Sequence, residues 1–412
     1  MFYFLITFAF FIFITNASAE EKEHKFLLKG YGEAYYSHFD FGPDQKSSIN
    51  GASSDSRAIV DITRMVLEMK YRFQKDLYLE TEVEFEHGGT GGALELEYEE
   101  FGEFESEVEK GGEVVLEGFH ITKSFSTKLN FRFGHFIIPV GLLNKFHKPT
   151  QFFTTKRTES ETQVIPTTWH ETGIQFFGKI SDLSYKIGVV NGLDATGFSS
   201  RNWIVEGHQK KFEETRATDL AYFANLDYNG IEGLTIGFST YFGNSTGNRP
   251  KNDMDGINGY VTIGDLHAIY EKNSFVARGM FLYGNLQNAD KITQKNNRLS
   301  NNLQVPRTPV AKAIISYYAE IGYDILSFFN ASHKLYPFLK YEYYNTMQEV
   351  DEGIFAQPRF ERKVLTFGAN FFLNENVVTK IDYSMRRFGE SDFNGENTFS
   401  VGFGFYSNFL KL

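Results

Sequence analysis

A chain of 412 residues with no Cys excludes a disulfide framework and any thiolate metal site. Its formal net charge of −11 disfavours nucleic acid as a partner, because that binding is dominated by basic contacts to phosphate. Aromatics make up 17 %, with 44 Phe and 23 Tyr, and the mean hydropathy of −0.32 excludes a helical membrane bundle but not a membrane barrel, whose wall alternates apolar and polar residues.

The first element in chain order is an address. Residues 1–14 are almost wholly apolar and are followed by Ala17-Ser18-Ala19 and then by Glu20-Glu21-Lys22-Glu23. This pattern predicts a signal peptide over 1–19 and a mature domain over 20–412, although no Lys or Arg precedes the apolar core. The alternative is an uncleaved anchor, for which the stretch is short, since a span needs roughly 20 apolar residues. No later segment is long and apolar enough to be a spanning helix.

From there on, two-residue alternation recurs. It predicts strands at 25–37, 58–72, 77–92, 112–124, 128–136, 168–178, 183–191, 216–229, 234–242, 257–271, 274–285, 310–324, 334–347, 358–373, 376–388 and 396–410. The last is the clearest: Phe399, Val401, Phe403, Phe405 and Phe409 on one face, Ser400, Gly402, Gly404 and Asn408 on the other. Tight links at 74–76, 125–127, 181–182, 230–233, 272–273 and 374–375 alternate with long ones at 38–57, 93–111, 137–167, 192–215, 243–256 and 286–309, while 325–333 fits least well. The expected fold is all-β: a transmembrane antiparallel up-and-down β-barrel of about sixteen strands, with short turns at the periplasmic end. A soluble sandwich gives no reason for that rhythm.

Strand phase turns polar residues inward, because charge on the lipid face costs roughly 2–4 kcal/mol at mid-bilayer. Over 77–86 this directs Glu80, Glu82, Glu84 and Glu86 to the lumen, and the preceding strand offers Arg64, Lys70 and Arg72 in matching phase, with Glu68 among them. One reading is an acidic stripe that attracts cations; the other, favoured, is a partly neutralised ladder of cross-strand pairs. Further inward charges are mixed, among them Lys29, Glu33, Arg132, Lys186, Asp227, Asp265, Lys312, Lys340, Lys380 and Arg386. Such an interior suits a water-filled pore better than a dry core. The eight glutamates of 94–109 lack a calcium-loop spacing and read as a solvated outer loop rather than a metal site. Gly88, Gly89, Gly91 and Gly92 read as a flexible loop rim.

Arg132-Phe133-Gly134-His135-Phe136-Ile137-Ile138-Pro139-Val140-Gly141 leaves one strand, and Gly173-Ile174-Gln175-Phe176-Phe177-Gly178 lies in the next. This G-x-F-x-x-P-x-G element followed by G-x-Q-x-x-G resembles the phosphate-selective porins of the O and P type. The resemblance implies sixteen strands, a homotrimer, and a third outer loop, here 137–167, folded into the lumen as a constriction. It further implies that basic residues line that constriction, and the matching candidates are Lys145, His147, Lys148, Lys156 and Arg157, interleaved with Glu159 and Glu161. A sustained arginine ladder is missing, so phosphate selectivity is where the chain departs from the family. Charge at a narrow point can still favour anions.

Motifs of enzymes are poor: there is no G-x-S-x-G, no phosphate-cradling glycine loop and no H-E-x-x-H. His147, His170 and His267 read as structural or solvated rather than catalytic. The sequence therefore predicts an exported, cofactor-free outer-membrane channel for passive diffusion of small ions or solutes, with anions such as phosphate among them, surrounded by outer-membrane lipid. The alternatives are a closed barrel acting in surface binding or adhesion, and a barrel-embedded hydrolase.

Overall fold

The computed structural model describes residues 24–43, 54–89, 92–96, 106–110, 112–209, 215–299, 307–329, 331–390 and 394–412. The expected signal peptide, 1–19, lies outside them.

Alternating apolar and polar side chains make extended backbone the conformation that sorts them to two faces. The chain uses it in β1 (Phe26–Pro43), β2 (Ser54–Gln74), β3 (Leu77–Glu86), β4 (Gly92–Leu96), β5 (Ser106–Lys110) and β6 (Glu113–Ser124). It continues through β7 (Asn130–Ile137), β8 (His170–Ile180), β9 (Leu183–Asn191), β10 (Leu220–Ile231), β11 (Leu234–Asn244) and β12 (Tyr260–Lys272). The last six are β13 (Phe275–Leu286), β14 (Ala313–Tyr323), β15 (Lys334–Glu349), β16 (Glu361–Asn374), β17 (Val377–Phe388) and β18 (Glu396–Lys411). Among the described residues, sixteen of these close into one antiparallel barrel in chain order, with β3 pairing β6 across β4 and β5 and β1 pairing back to β18. The seam is continuous from Leu27 opposite Lys411 to Asp40 opposite Asn397. Closure satisfies every ladder and leaves no edge, which is the requirement for backbone in hydrocarbon.

Outward positions carry Ile236, Phe238, Phe242, Leu266, Phe281, Leu339, Phe367, Phe399, Val401 and Phe403, all exposed. Their strand neighbours, such as Ser239, Tyr241, Asp265, Met280, Lys340, Thr366 and Ser400, are buried inside. An exposed apolar belt around a closed wall is at its free-energy minimum in lipid, not in water. No described helix is long and apolar enough to cross a membrane.

The structure refines several expectations. The strand expected over 77–92 stops at Glu86, because His87, Gly88 and Gly89 all take positive φ (47°, 86° and 89°) and end the ladder. Beyond it, β4 and β5 pair only with each other, so part of the acidic 94–109 segment is a small hairpin outside the barrel sheet; residues 97–105 and Gly91 lie outside the described residues. The ill-fitting link 325–333 holds a 3-10 turn, Ile325–Phe329, tied by the Asp324 carboxylate, which accepts from Leu326 N (3.1 Å) and Leu335 N (3.0 Å).

A correction concerns the interior, which is not wet throughout. One side of the lumen is filled by an apolar core. Phe223, Tyr241, Val261, Ile263, Met280, Leu282 and Ile314 face inward from β10–β14, against Ile138, Val140, Leu142, Ile165 and Trp169 of the 138–169 connection and Trp203 and Ile204 of the next long one. Both Trp residues of the chain are completely buried there. Of the expected inward charges, Lys312 falls just before β14, exposed and paired with Glu349 at 2.6 Å.

Candidate pore constriction

The 138–169 connection leaves β7 and turns at once into the barrel. Gly141 has φ +82°, and a Cβ there would meet Ile165 Cδ1 at 2.6 Å and Glu161 Oε2 at 2.7 Å. Its amide donates to Asp265 Oδ2 on β12 (2.9 Å). Only glycine permits this turn, which gives the last residue of the G-x-F-x-x-P-x-G element a physical reason. Gly141→Ala is therefore expected to loosen the segment, read as faster proteolysis between 141 and 165 with an unchanged far-UV spectrum.

From there the segment is latched to the wall almost all the way round. Lys145 Nζ donates to both oxygens of Asp227 on β10 (2.6 and 2.7 Å), in contact with His267, whose Nδ1 lies 2.6 Å from Asp265 Oδ1. Lys148 pairs with Glu68 on β2 (2.5 Å) and lies 4.0 Å from the Tyr406 ring of β18. Lys380 of β17 donates to the carbonyls of Phe152 (2.8 Å) and Thr154 (3.1 Å), and Asp382 accepts from Thr155 N (2.5 Å). Lys340 of β15 reaches Thr158 Oγ1 (2.8 Å), and Glu342 accepts from Ser160 N (2.8 Å). A single segment touches β2, β10, β12, β15, β17 and β18 only from within the barrel, so it crosses the lumen.

Glu159 is the strongest of these latches. It accepts from Arg386 Nε (2.9 Å) and Nη2 (2.5 Å) and from the Tyr344 hydroxyl, with Arg362 at 3.7 Å. Burial opposes its ionisation, but the Arg386 charge and hydrogen bonds, then Arg362 and Tyr344, outweigh this and hold the carboxyl down at about 2 rather than 4.5. A carboxyl whose folded value is depressed stabilises fully above its unfolded value and loses that contribution as pH falls through the folded one. The latch should therefore persist down to roughly pH 4 and release toward pH 2, seen as protease sensitivity of 145–160 that Glu159→Gln shows already at neutral pH. Glu161 behaves oppositely: burial pushes its carboxyl up to about 7, against the hydrogen bond from Leu143 N.

Register places Glu68 opposite Glu82, Lys70 opposite Glu80, Arg72 opposite Tyr78 and Arg64 opposite Glu86. Glu80 is ringed by Lys70 (3.2 Å), His120 (3.0 Å) and Arg132 (3.4 Å). Glu82 accepts from the Tyr31 hydroxyl at 2.9 Å. Arg64 donates to Glu33 (2.8 Å) and to the His147 carbonyl, and approaches Glu84 at 3.9 Å, while Arg157 lies 3.8 Å from that same Glu84 oxygen. Arg72 sits at the turn, donating to Lys75 O (2.8 Å).

Exposure along these strands locates a seal. Glu80 and Lys70 are about 30 % exposed near the short turns, where a cavity of about 330 Å³ lies among Lys29, Glu68, Lys70, Glu80, Glu82 and Arg132. Further up, Tyr31, Arg64, Glu84 and Glu117 are essentially buried, with Glu33 and His147 nearly so. Above that layer water returns: Arg386 and Glu159 are 23 % and 20 % exposed, and Lys156 and Arg157 are half-buried.

The five loop candidates thus separate. Lys145 is spent on Asp227, away from the seal, and Lys148 on Glu68. His147 lies in the seal with its ring 5.7 Å from Tyr31; burial, then the charges of Arg64, Arg157 and Lys148, keep it neutral by lowering its pKa well below the ordinary value. Lys156 and Arg157 stand on the outer side. Lys156 rests over the Tyr35 and Phe39 rings (4.8 and 4.3 Å) and has no ion pair among the described residues. Burial, and then Arg386, lower it to about 8. Sequence reasoning did not single out Tyr31, Glu117 or Tyr344; an inward Tyr or a lone Glu on a short strand gives no periodic signal. His170 lies against His135 and His208 (ring centroids 4.7 and 4.5 Å), part of the wall rather than of the seal. Among the described residues no group of acidic or His side chains is arranged to hold a metal ion.

No family model matches the chain. An uncharacterised protein of Aquifex aeolicus is 27 % identical over 358 residues, spanning 86 % of this chain and 74 % of that protein. Among solved structures, OmpF of Salmonella typhi in complex with daunomycin superposes with a TM-score of 0.56 at 13 % identity, covering 92 % of this chain and 97 % of that one. The outer-membrane channel DcaP of Acinetobacter baumannii gives 0.53 at 11 % identity (95 % and 100 % covered). An anion-selective porin from Comamonas acidovorans gives 0.52 at 10 % (93 % and 100 %). At such identities the likeness is one of fold: this chain is built as a porin-type barrel.

Proposed function

We propose that the protein is a channel of the outer membrane of a diderm bacterium, exported by cleavage after Ala19, assembled as a trimer, and passing small anions in preference to cations. One observation carries the reading: inside a closed, lipid-belted wall, ionised side chains stay reachable by water on both sides of a crossing segment, at Lys70 and Glu80 below and at Lys156 and Arg386 above. Charge that water reaches from both ends of the lumen is what a path for ions requires. The anion preference rests on Lys156 and Arg157 standing at the outer approach while the neighbouring acids are engaged: Glu159 by Arg386, and Glu84 beside Arg64. The fold likeness to channels and to an anion-selective porin agrees with this reading without deciding it. Phosphate is one candidate among small anions.

A second reading, a closed barrel that acts through its surface loops, draws on the seal around Arg64. Reversal potential under a salt gradient separates charge preference from none. The wild type should favour anions at pH 7, and the preference should shrink as pH rises from 7 to 9, because Lys156 loses its charge through about 8. In Lys156→Ala that decline should vanish. A cation-favouring potential at pH 7 would refute the anion reading while leaving the channel intact.

A further inference from the structure

At the short-turn end lies a separate cavity of about 470 Å³, walled by β12, β13, β15 and β16 rather than by the strands of the Glu80 pocket. That size is within the range of small-molecule sites, roughly 300–1,000 Å³. Its wall is unusual for the mouth of a polar lumen. Phe152 and Phe153 come from the crossing segment, and Tyr336 and Phe372 point inward from β15 and β16. The rings form a continuous platform: Phe153 stacks on Phe338 (5.3 Å, 8°) and lies 5.9 Å from Tyr336, which meets Phe372 edge-on at 5.9 Å. Phe152 and Phe153 are buried, Phe153 with Arg278 5.1 Å from its ring, but Tyr336 and Phe372 are only half-buried, and holding those rings against water inside a lumen is unfavourable unless something covers them.

A second feature points the same way. Asn370 lines this cavity, is 1 % exposed, and its Oδ1 has no hydrogen-bond partner among the described residues. A buried acceptor left unpaired costs free energy that a ligand donor recovers. The charges that line the cavity balance, Arg278 and Lys334 against Glu271 and Glu375. Arg278 is held by Glu271 (2.7 Å) and, from behind the lining, by Glu320 (2.9 Å).

We infer that this cavity binds a neutral ring-shaped, polyhydroxylated solute of mono- or disaccharide size, with its apolar ring face on the Phe153–Tyr336–Phe372 platform and a hydroxyl donating to Asn370 Oδ1. With two cations balanced by two anions in the lining, a net charge on the solute brings no affinity. A molecule with apolar faces and a hydroxyl edge satisfies the rings and the acceptor together. The site opens at the short-turn end, so binding does not require the channel to conduct, and failure of one claim leaves the other standing.

The test is saturation-transfer NMR on the full-length mature protein in a sugar-free detergent, with glucose and maltose as probes and open-chain sorbitol as control. Transfer to the ring C–H protons of maltose, and none to sorbitol, is expected. Asn370→Leu, of similar volume, should weaken binding about tenfold, the worth of one hydrogen bond. Tyr336→Ala should abolish transfer and Tyr336→Phe should keep it. Absence of transfer to both sugars overturns the inference, as does equal transfer to sorbitol, or transfer unchanged in Asn370→Leu. Should Tyr336→Ala fail to fold, Asn370→Leu still decides.

Discussion

Excising residues 145–160 and joining Asn144 to Glu161 through a short glycine-serine linker should raise single-channel conductance several-fold while the barrel still forms. The ends are already close, since Leu143 N donates to Glu161 Oε2 at 2.9 Å. The pieces that anchor the apolar core, Val140, Leu142, Val164, Ile165 and Trp169, remain, and so does Asn144, which accepts from Trp169 N at 3.0 Å. What disappears is the segment that carries Lys148 to Glu68, Thr155 to Asp382 and Glu159 to Arg386. The wall charges it leaves behind are then met by water rather than stranded in a dry interior, so the deletion should cost little stability. A barrel of sixteen strands is wide enough to keep an aqueous lumen once nothing crosses it. An unchanged conductance would mean that the segment does not set the width of the path.

The second large effect is expected at Arg64. This guanidinium, 1 % exposed, ties three parts of the seal together: Glu33 on β1, Glu84 on β3 and the carbonyl of His147 on the crossing segment. Arg64→Met keeps much of the volume but strands two carboxylates in a buried layer. Removing one partner of a buried ion pair typically costs about 3–5 kcal/mol. The unfolding midpoint in urea, followed by tryptophan emission, should fall accordingly. Adding Glu33→Gln should restore a substantial part, because the cost lies mainly in the uncompensated charge rather than in the lost attraction. A drop that Glu33→Gln leaves untouched would place the effect in packing against Tyr31 instead, whose ring lies 5.0 Å from the guanidinium.

The wall was legible because lipid enforces a rule on every outward position. Phe399, Val401 and Phe403 had to face hydrocarbon, so period and phase could be read without knowing any partner strand. The β2–β3 register matches the tight link expected at 74–76: the turn pairs Gln74 with Leu77, and a register shift between Arg72 and Gln74 brings Lys70 opposite Glu80. The interior obeys no such rule. Val261, Ile263, Met280 and Leu282 face inward as apolar residues, so β12 and β13 are greasy on both faces, and that doubled signal was the available sign of a core inside the barrel. Trp203, in a long connection rather than in an expected strand, was a second sign, because an aromatic of that size in a loop is there to be covered; Trp169 gave none, since the strand expected over 168–178 included it and β8 begins only at His170. The partners of Lys145 and Lys148 were out of reach for a different reason. Asp227 lies 82 residues from Lys145, and only the closure of the barrel, not any local pattern, brings them together.

The resemblance drawn from Gly134, Phe136, Pro139 and Gly141 located the crossing segment, and Gly141 has its explanation in the turn it makes. It located the basic residues less well. Lys145 and Lys148 are bound in ion pairs and His147 is neutral, which leaves Lys156 and Arg157 as the charges a solute would meet from the outer side.

Planar bilayer recording of the purified mature protein is the most direct test of the central claim, that ions pass the buried polar layer around Arg64 between the crossing segment and the β1–β3 wall. Discrete, ohmic current steps of uniform size are the expected result, small beside those of the 145–160 deletion. A membrane that stays silent with correctly folded wild-type protein, yet shows steps with the deletion, would contradict it and establish a barrel stoppered at Arg64 and His147.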